Sequence, residues 1–557
     1  MDDYYDLGTY SFPVTTRSEQ AQVWFDRGLN WTYGYNHEAA VICFRKAIEA
    51  DAQCAMAHWG VAYASGPNYN LPWWLLDDVG RTEQLAIAYD ATREAMALVD
   101  QVTPLEADLI KALRARYPER DPAPISVMKT WNDAFADVMR GLLHDHPASF
   151  DVRAIAAEAL LNRTPWKMWD LAAGQPAEGA DTLECEKVLE AALDNDPAAL
   201  AHPGLTHLYV HLMEMSPYPE RALRASDALR TLVPDAGHLV HMPTHIDALC
   251  GYYRDVVHWN EVATKADHKY WAEEGPYNVY TGYRLHNYHF IIYGALFLGQ
   301  IAPAQAALSG IRETVPEDLL RIESPPMADY FESYLSFEPH VLVRFGLWDE
   351  AKALELPVDT DLFCTLTANI HYARGVAHAA TGDVVAAEAE EELFIAAKAR
   401  VPDTRRLHNN RVNDLLEVAL NMLRGEIDYR KGAYEAAFAA LRAAVAADEA
   451  LAYDEPWGWM QPPRHALGAL LLEQGHTDEA EAAFRADLGL GGEVSRSHVH
   501  PDNVWALRGL ESCLSARGET LERRQILDRL ARAQARADRT VKASCFCAQA
   551  AGAAKVA

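Results

Sequence analysis

Apolar positions along this chain recur mostly at spacings of three and four, the period of an α-helix with one buried face, while strict two-residue alternation is scarce. Ala-rich amphipathic segments with this period fill most of the chain, so the pattern predicts an all-α protein. The segments come in pairs separated by short turns, as in "RHALGALLLEQGHTDEAEAAFRAD". Such pairing predicts antiparallel helical hairpins repeated in series, which accounts for a length of 557 residues.

One register recurs. Near the N-terminus Trp24, Gly28, Trp31, Ala40, Phe44 and Ala47 place large residues against small ones across a hairpin. Gly468, Gly475, Ala480 and Phe484 repeat the pattern, as do Gly425, Gly432, Ala437, Leu441 and Ala444. Looser copies pair a turn glycine with a small or apolar residue five positions on: Gly251 with Val256, Gly299 with Ala304, Gly346 with Ala351, and Gly382 with Ala387. This spacing resembles the tetratricopeptide repeat over most of the chain. It implies a tetratricopeptide-like α-solenoid, a superhelix of helical hairpins.

The repeat rhythm divides the chain into N-terminal hairpins over 1–66, an irregular helical insertion rich in Pro, Trp and Asp over 67–122, and central His-rich repeats over 123–350. C-terminal repeats follow over 351–541, then a Cys-containing tail over 542–557. "DLAAGQPAEGADTLE" reads as a loop within a repeat. No flexible linker stands out, so one continuous superhelix is expected rather than separate domains.

Histidines fall on equivalent places in consecutive repeats. His241 and His245 lie ten and six residues before Gly251, and His289 and Tyr293 stand at the same offsets from Gly299. With Pro217 as the turn, His207 and His211 take those two offsets, and Glu214 lies three before it. His238 and His286 each lie thirteen before their turn, and His340 lies six before Gly346. These offsets share one helical stripe, and the tetratricopeptide resemblance implies that the stripe lines the concave groove. A lone histidine on a helix is most often a satisfied or solvated one; matched HxxxH pairs on successive helices are not explained that way. Clustered imidazoles in a low-dielectric groove repel when charged and lack partners when neutral, and a transition metal removes both problems.

The stripe therefore predicts a metal site from His207, His211, His241, His245 and His289, with His238 and His286 as further ligands. Its ion is Cu, Fe or Zn, because imidazole suits these and not Mg or Ca. Glu158 and Glu214 are candidate general bases and Tyr293 a candidate redox or acid–base group. Asn162, Trp166, Tyr283 and His340 are candidate walls of a pocket for a small organic substrate. The reading is a metalloenzyme, with oxidation ahead of Zn-dependent hydrolysis because tyrosines and tryptophans crowd the segment. The alternative is a non-catalytic scaffold with a peptide partner.

"FDRGLNWTYGYNHEAAVICFRKAIEAD", "AHWGVAYASGPNYN", "HLYVH", "LVHMPTHI" and "HNYHF" together resemble a group of bacterial and fungal tetratricopeptide-repeat proteins with a His-rich central segment. The resemblance implies the fold and names no reaction.

Composition narrows partners. With 80 acidic against 50 basic residues and a formal charge of −30, nucleic acid and anionic membrane surfaces are disfavoured. No secretory signal or long apolar span is visible, and scattered cysteines suit reduced thiols, so a cytoplasmic protein is expected. In the tail, "ASCFCAQ" reads as a frayed end with two incidental thiols. A bridge between Cys545 and Cys547 is the least expected outcome, the alternative being a tail that folds back.

Overall fold

The computed structural model describes residues 4–492 and 494–548. Among them helices dominate, and strand occurs as two short antiparallel pairs, Trp169–Asp170 with Gln175–Pro176 and Arg406–Leu407 with Asn410–Arg411. The fold is an all-α, tetratricopeptide-like array of helical hairpins. No helix among the described residues is long and apolar enough to cross a membrane.

The chain forms two compact units. The first comprises Met1–Ile246 and Val262–Gly275, the second Asp247–Glu261 and Pro276–Ala557. The divide falls within the His-rich stretch, where one continuous superhelix is the expectation from the sequence.

In the first unit, Glu19–Tyr33 packs against His37–Ala50 and Ala55–Ala64 against Asp78–Ala97. Phe150–Leu161 then packs on Thr182–Leu193, and Pro203–Met213 on Leu223–Leu229. The second unit repeats the arrangement, for example in Cys364–Ala380 with Val384–Lys398, Val412–Arg430 with Tyr434–Glu449, and Pro463–Glu473 with Thr477–Asp487.

Ring-over-glycine packing explains the sequence register. A Cβ on Gly28 would lie 2.7 Å from the Phe44 ring, and Gly60 of the next helix meets the same ring. In the second unit Phe484 fills the space above Gly468 and Gly509 in the same way. Each aromatic ring thus locks its own hairpin and the next helix, burying apolar surface that a single hairpin leaves exposed. The turn glycines have a separate cause: Gly299 (φ +73°) and Gly475 (φ +83°) take the left-handed conformation that ends a helix cheaply only for glycine.

Three expectations change. The 67–122 segment is regular over much of its length, with helices Asp78–Ala97 and Pro104–Arg116. Asp77 caps the first through Gly80 N (2.8 Å), and Thr103 and Glu106 form a capping box on the second. Asp77 and Pro104 there mark helix starts. The loop after Trp169 is a short hairpin.

The tail is corrected most. Cys545 and Cys547 form a disulfide, their Cα atoms 5.3 Å apart because the chain turns at Phe546. Nor is the end frayed over its described part. Ser544 Oγ donates to His465 O (3.1 Å), Arg430 donates to Cys547 O (2.8 Å), and Phe546 packs on Trp505.

Candidate metal centre

Pro203–Met213 starts at His202, whose Nδ1 accepts from Leu205 N (3.2 Å), with Pro203 in the first turn. The His202 ring is fixed in turn by Asp151 (3.3 Å), which also accepts from Tyr10 (2.7 Å) and Tyr33 (2.8 Å). The start of this helix is thereby tied to the N-terminal hairpin, and His207 and His211 follow one turn apart on a buried face.

The hydrogen bonds then decide how these rings point. Nδ1 of His207 lies 2.7 Å from Tyr33 O. A carbonyl only accepts, so Nδ1 carries the proton and Nε2 presents its lone pair. His211 Nδ1 donates to Glu214 Oε1 (2.8 Å), which leaves its Nε2, buried and without a hydrogen-bond partner, as the lone-pair nitrogen. His245 Nδ1 meets the other carboxylate oxygen, Glu214 Oε2, at 2.5 Å. One carboxylate therefore orients two imidazoles, the arrangement that holds metal-ligating histidines in a chosen tautomer.

The Nε2 atoms converge. His207 Nε2 and His238 Nε2 stand 3.2 Å apart, and His241 Nε2 and His245 Nε2 stand 2.8 Å apart. Ligand atoms of His207, His211 and His238 all lie within 4.8 Å of one another. Two nitrogens bound tetrahedrally to one ion at about 2.0–2.1 Å would be roughly 3.3 Å apart, close to the His207–His238 spacing.

All five imidazoles and Glu214 are at most 1% exposed. Burial pushes His207 and His238 well below the usual imidazole range, and the neighbouring histidines reinforce it. Burial likewise lowers His245 against the pull of Glu214. Glu214 itself is raised by burial but held below its ordinary value by His245 and His211, so it stays an anion.

Aromatic rings close over the group. Tyr35 stacks near His211 (5.8 Å) and His238 (5.6 Å) and meets His207 edge-on at 4.6 Å. Tyr69 lies 4.8 Å and Trp166 5.8 Å from the His211 ring. Tyr35 and Trp166 both have positive φ (+56° and +60°), uncommon for bulky residues. Sequence reasoning missed Tyr35 and Tyr69; the only signal was their position in "TYGYNH" and "GPNYN".

The other expected residues distribute as follows. Glu158 is buried beside the cluster and accepts from Tyr63, whose ring carries the Arg116 guanidinium 4.6 Å from its centroid. Burial raises this carboxyl despite Arg116 and Tyr63. Asn162 is buried at the end of the same helix, with neither side-chain amide atom hydrogen-bonded.

In the second unit, His286 and His289 lie on Thr281–Leu298 with Tyr293 a turn further, against Phe297 (4.7 Å). His340 packs on Trp459 (4.6 Å) and lines a small cavity with Ser336, Phe337 and Asn369. Tyr283 is half-buried beside Tyr280. His207, His211, His238, His241, His245 and Glu214 are thus gathered in one unit, and His286, His289, Tyr293, His340 and Tyr283 belong to the other.

No protein-family model matches the chain, and no curated protein matches it. Solved structures similar to it are distant. One is the APC/C hetero-tetramer Cut9–Hcn1, at 13% identity and a TM-score of 0.31, covering 92% of this chain and 76% of that one. Yeast Tom70 gives 11% and 0.25, covering 93% and 89%. Naa15/Naa10 bound to HypK-THB gives 11% and 0.21, covering 92% and 70%.

Proposed function

We propose that this helical-repeat protein binds a transition metal ion in its first unit, through His207, His211 and His238, with His241 and His245 beside them. One observation carries the reading. Tyr33 O and Glu214 fix His207 and His211 with Nε2 lone pairs directed into a buried group that also contains His238 Nε2. Imidazole donors suit Zn, Cu or Fe. When bound, such an ion supplies Lewis-acid or redox chemistry. The chain's own residues hold the neutral imidazoles in place and exclude bulk water with Tyr35, Tyr69 and Trp166. They also present Glu158 as the nearby carboxyl that releases or takes a proton.

We read this centre as enzymatic, acting on a small organic molecule, with oxidation ahead of hydrolysis. Glu214 would be the nearest base for hydrolysis, but both its oxygens are occupied by His211 and His245. These histidine segments are also what the chain shares with the bacterial and fungal tetratricopeptide group it resembles. The second reading is a scaffold for a peptide partner. Stacked helical hairpins favour it, because they commonly present extended binding surfaces.

Elemental analysis of a tag-free preparation separates the two. A near-stoichiometric transition metal is expected. If none is present and added Zn, Cu and Fe are not taken up, the scaffold reading stands instead.

A further inference from the structure

We propose that the second unit holds a metal site of its own, formed by His286, His289 and His408 with the Tyr334 phenol oxygen as fourth donor. This inference does not rest on the first-unit site.

His286 and His289 share a face of Thr281–Leu298, three residues apart. His408 comes from a different element, the tip of the hairpin Arg406–Leu407/Asn410–Arg411. Its φ is +48°, a left-handed conformation that costs a non-glycine residue energy and persists only where surroundings impose it. The surroundings do impose it. Asn409 N donates to Asp454 Oδ1 (3.0 Å), Asn409 Nδ2 to Tyr453 O (2.9 Å), and Asn410 Nδ2 to Asp454 Oδ2 (2.6 Å). Ser333 Oγ donates to Arg406 O (2.8 Å) from the other side.

The clamped tip delivers one imidazole to two others. His408 Nε2 lies 3.0 Å from His286 Nδ1 and 2.7 Å from Tyr334 Oη. Ligand atoms of the three histidines fall within 4.8 Å of one another. These separations approach the roughly 3.3 Å expected between donors on one tetrahedral ion.

His289 supplies the independent observation. It is fully buried, and neither ring nitrogen meets a hydrogen-bond partner. Its ring is held flat on Phe337, centroids 4.4 Å apart. A buried imidazole with both nitrogens unsatisfied is unfavourable by itself, and coordination of one nitrogen removes much of that penalty. Three imidazoles and a phenol oxygen suit Zn, Cu or Fe and not Mg or Ca.

The test uses the full chain, stripped by chelator and titrated with Zn²⁺ alone against a chromogenic competitor. His408→Gly is the key variant, because glycine accepts φ +48° and removes the imidazole without straining the hairpin tip. Wild type is expected to take up about two equivalents, and His408→Gly about one, with melting of the stripped protein unchanged or raised. Tyr334→Phe should weaken one equivalent by roughly tenfold to a hundredfold. His207→Ala should remove the other equivalent. Loss in His408→Gly with retention in His207→Ala supports this site while sinking the first-unit one. A folded His408→Gly that binds zinc with wild-type stoichiometry and affinity overturns the inference.

Discussion

His207 and His238 stand on different helices, yet their Nε2 atoms are 3.2 Å apart and both rings are buried. Since Tyr33 O takes the His207 Nδ1 proton, that contact joins a lone pair to a second imidazole and not two N–H groups. Ligands to one ion meet in this manner. His207→Ala and His238→Ala should each remove most of the first-unit metal and lower melting of the metal-loaded protein, because a bound ion favours the native state. Combining them should add less than the sum. His58→Ala and His476→Ala, both outside the cluster, should bind like wild type. Glu214→Gln should fall between, weakening metal by about tenfold to a hundredfold through loss of orientation. Melting and metal competition on the same preparations check all six; full metal in both His207→Ala and His238→Ala would end the proposal.

The ring-over-glycine contacts make a prediction about stability with opposite signs at different glycines. Gly28→Ala puts a Cβ 2.7 Å from the Phe44 ring, and Gly468→Ala one 2.5 Å from Phe484 Cζ. Each should destabilise by about 1–3 kcal/mol. Gly141 is exposed within Ile125–Asp145, and an added Cβ there meets nothing within 4 Å. Gly141→Ala should stabilise by roughly 0.5–1 kcal/mol. Chemical denaturation reads all three, and equal effects would contradict the packing account.

A pH effect follows from Asp448. It is buried and accepts from Trp457 Nε1 (2.9 Å). Burial pushes its carboxyl from 3.8 up to about 7, with Trp457 and Arg464 opposing and Asp487 adding to the rise. Between those values the folded chain keeps a proton that the unfolded chain has released. The stabilising share is therefore complete below pH 3.8 and is lost as pH rises through about 7. The displacement corresponds to roughly 4 kcal/mol at most. Asp448→Asn keeps an acceptor for Trp457 and removes the titration. Thermal melts at pH 6 and pH 8 should show wild type losing more stability on the alkaline side than the variant. Parallel losses would mean that Asp448 does not carry the effect.

The sequence by itself determined what depends on local periodicity. Helical spacing, the glycine-to-aromatic interval shared by Gly28/Phe44 and Gly468/Phe484, and left-handed turn glycines such as Gly299 follow from backbone and packing rules that act within one hairpin. The stripe carrying His207, His211, His241 and His245 was legible for the same reason, since residues three and four apart must share a face. Local rules go no further. Tyr35 over the imidazoles, Tyr33 O fixing a tautomer and Glu214 joining His211 to His245 depend on where distant helices come to rest. So does His408, whose place at a hairpin tip 122 residues from His286 has no period to announce it. Capping decided that Asp78–Ala97 and Pro104–Arg116 are regular helices, and packing of Phe546 decided that the tail docks. Which compact unit each histidine helix joins, His207 to His245 in one and His286 and His289 in the other, was likewise decided by long-range burial and not by periodicity.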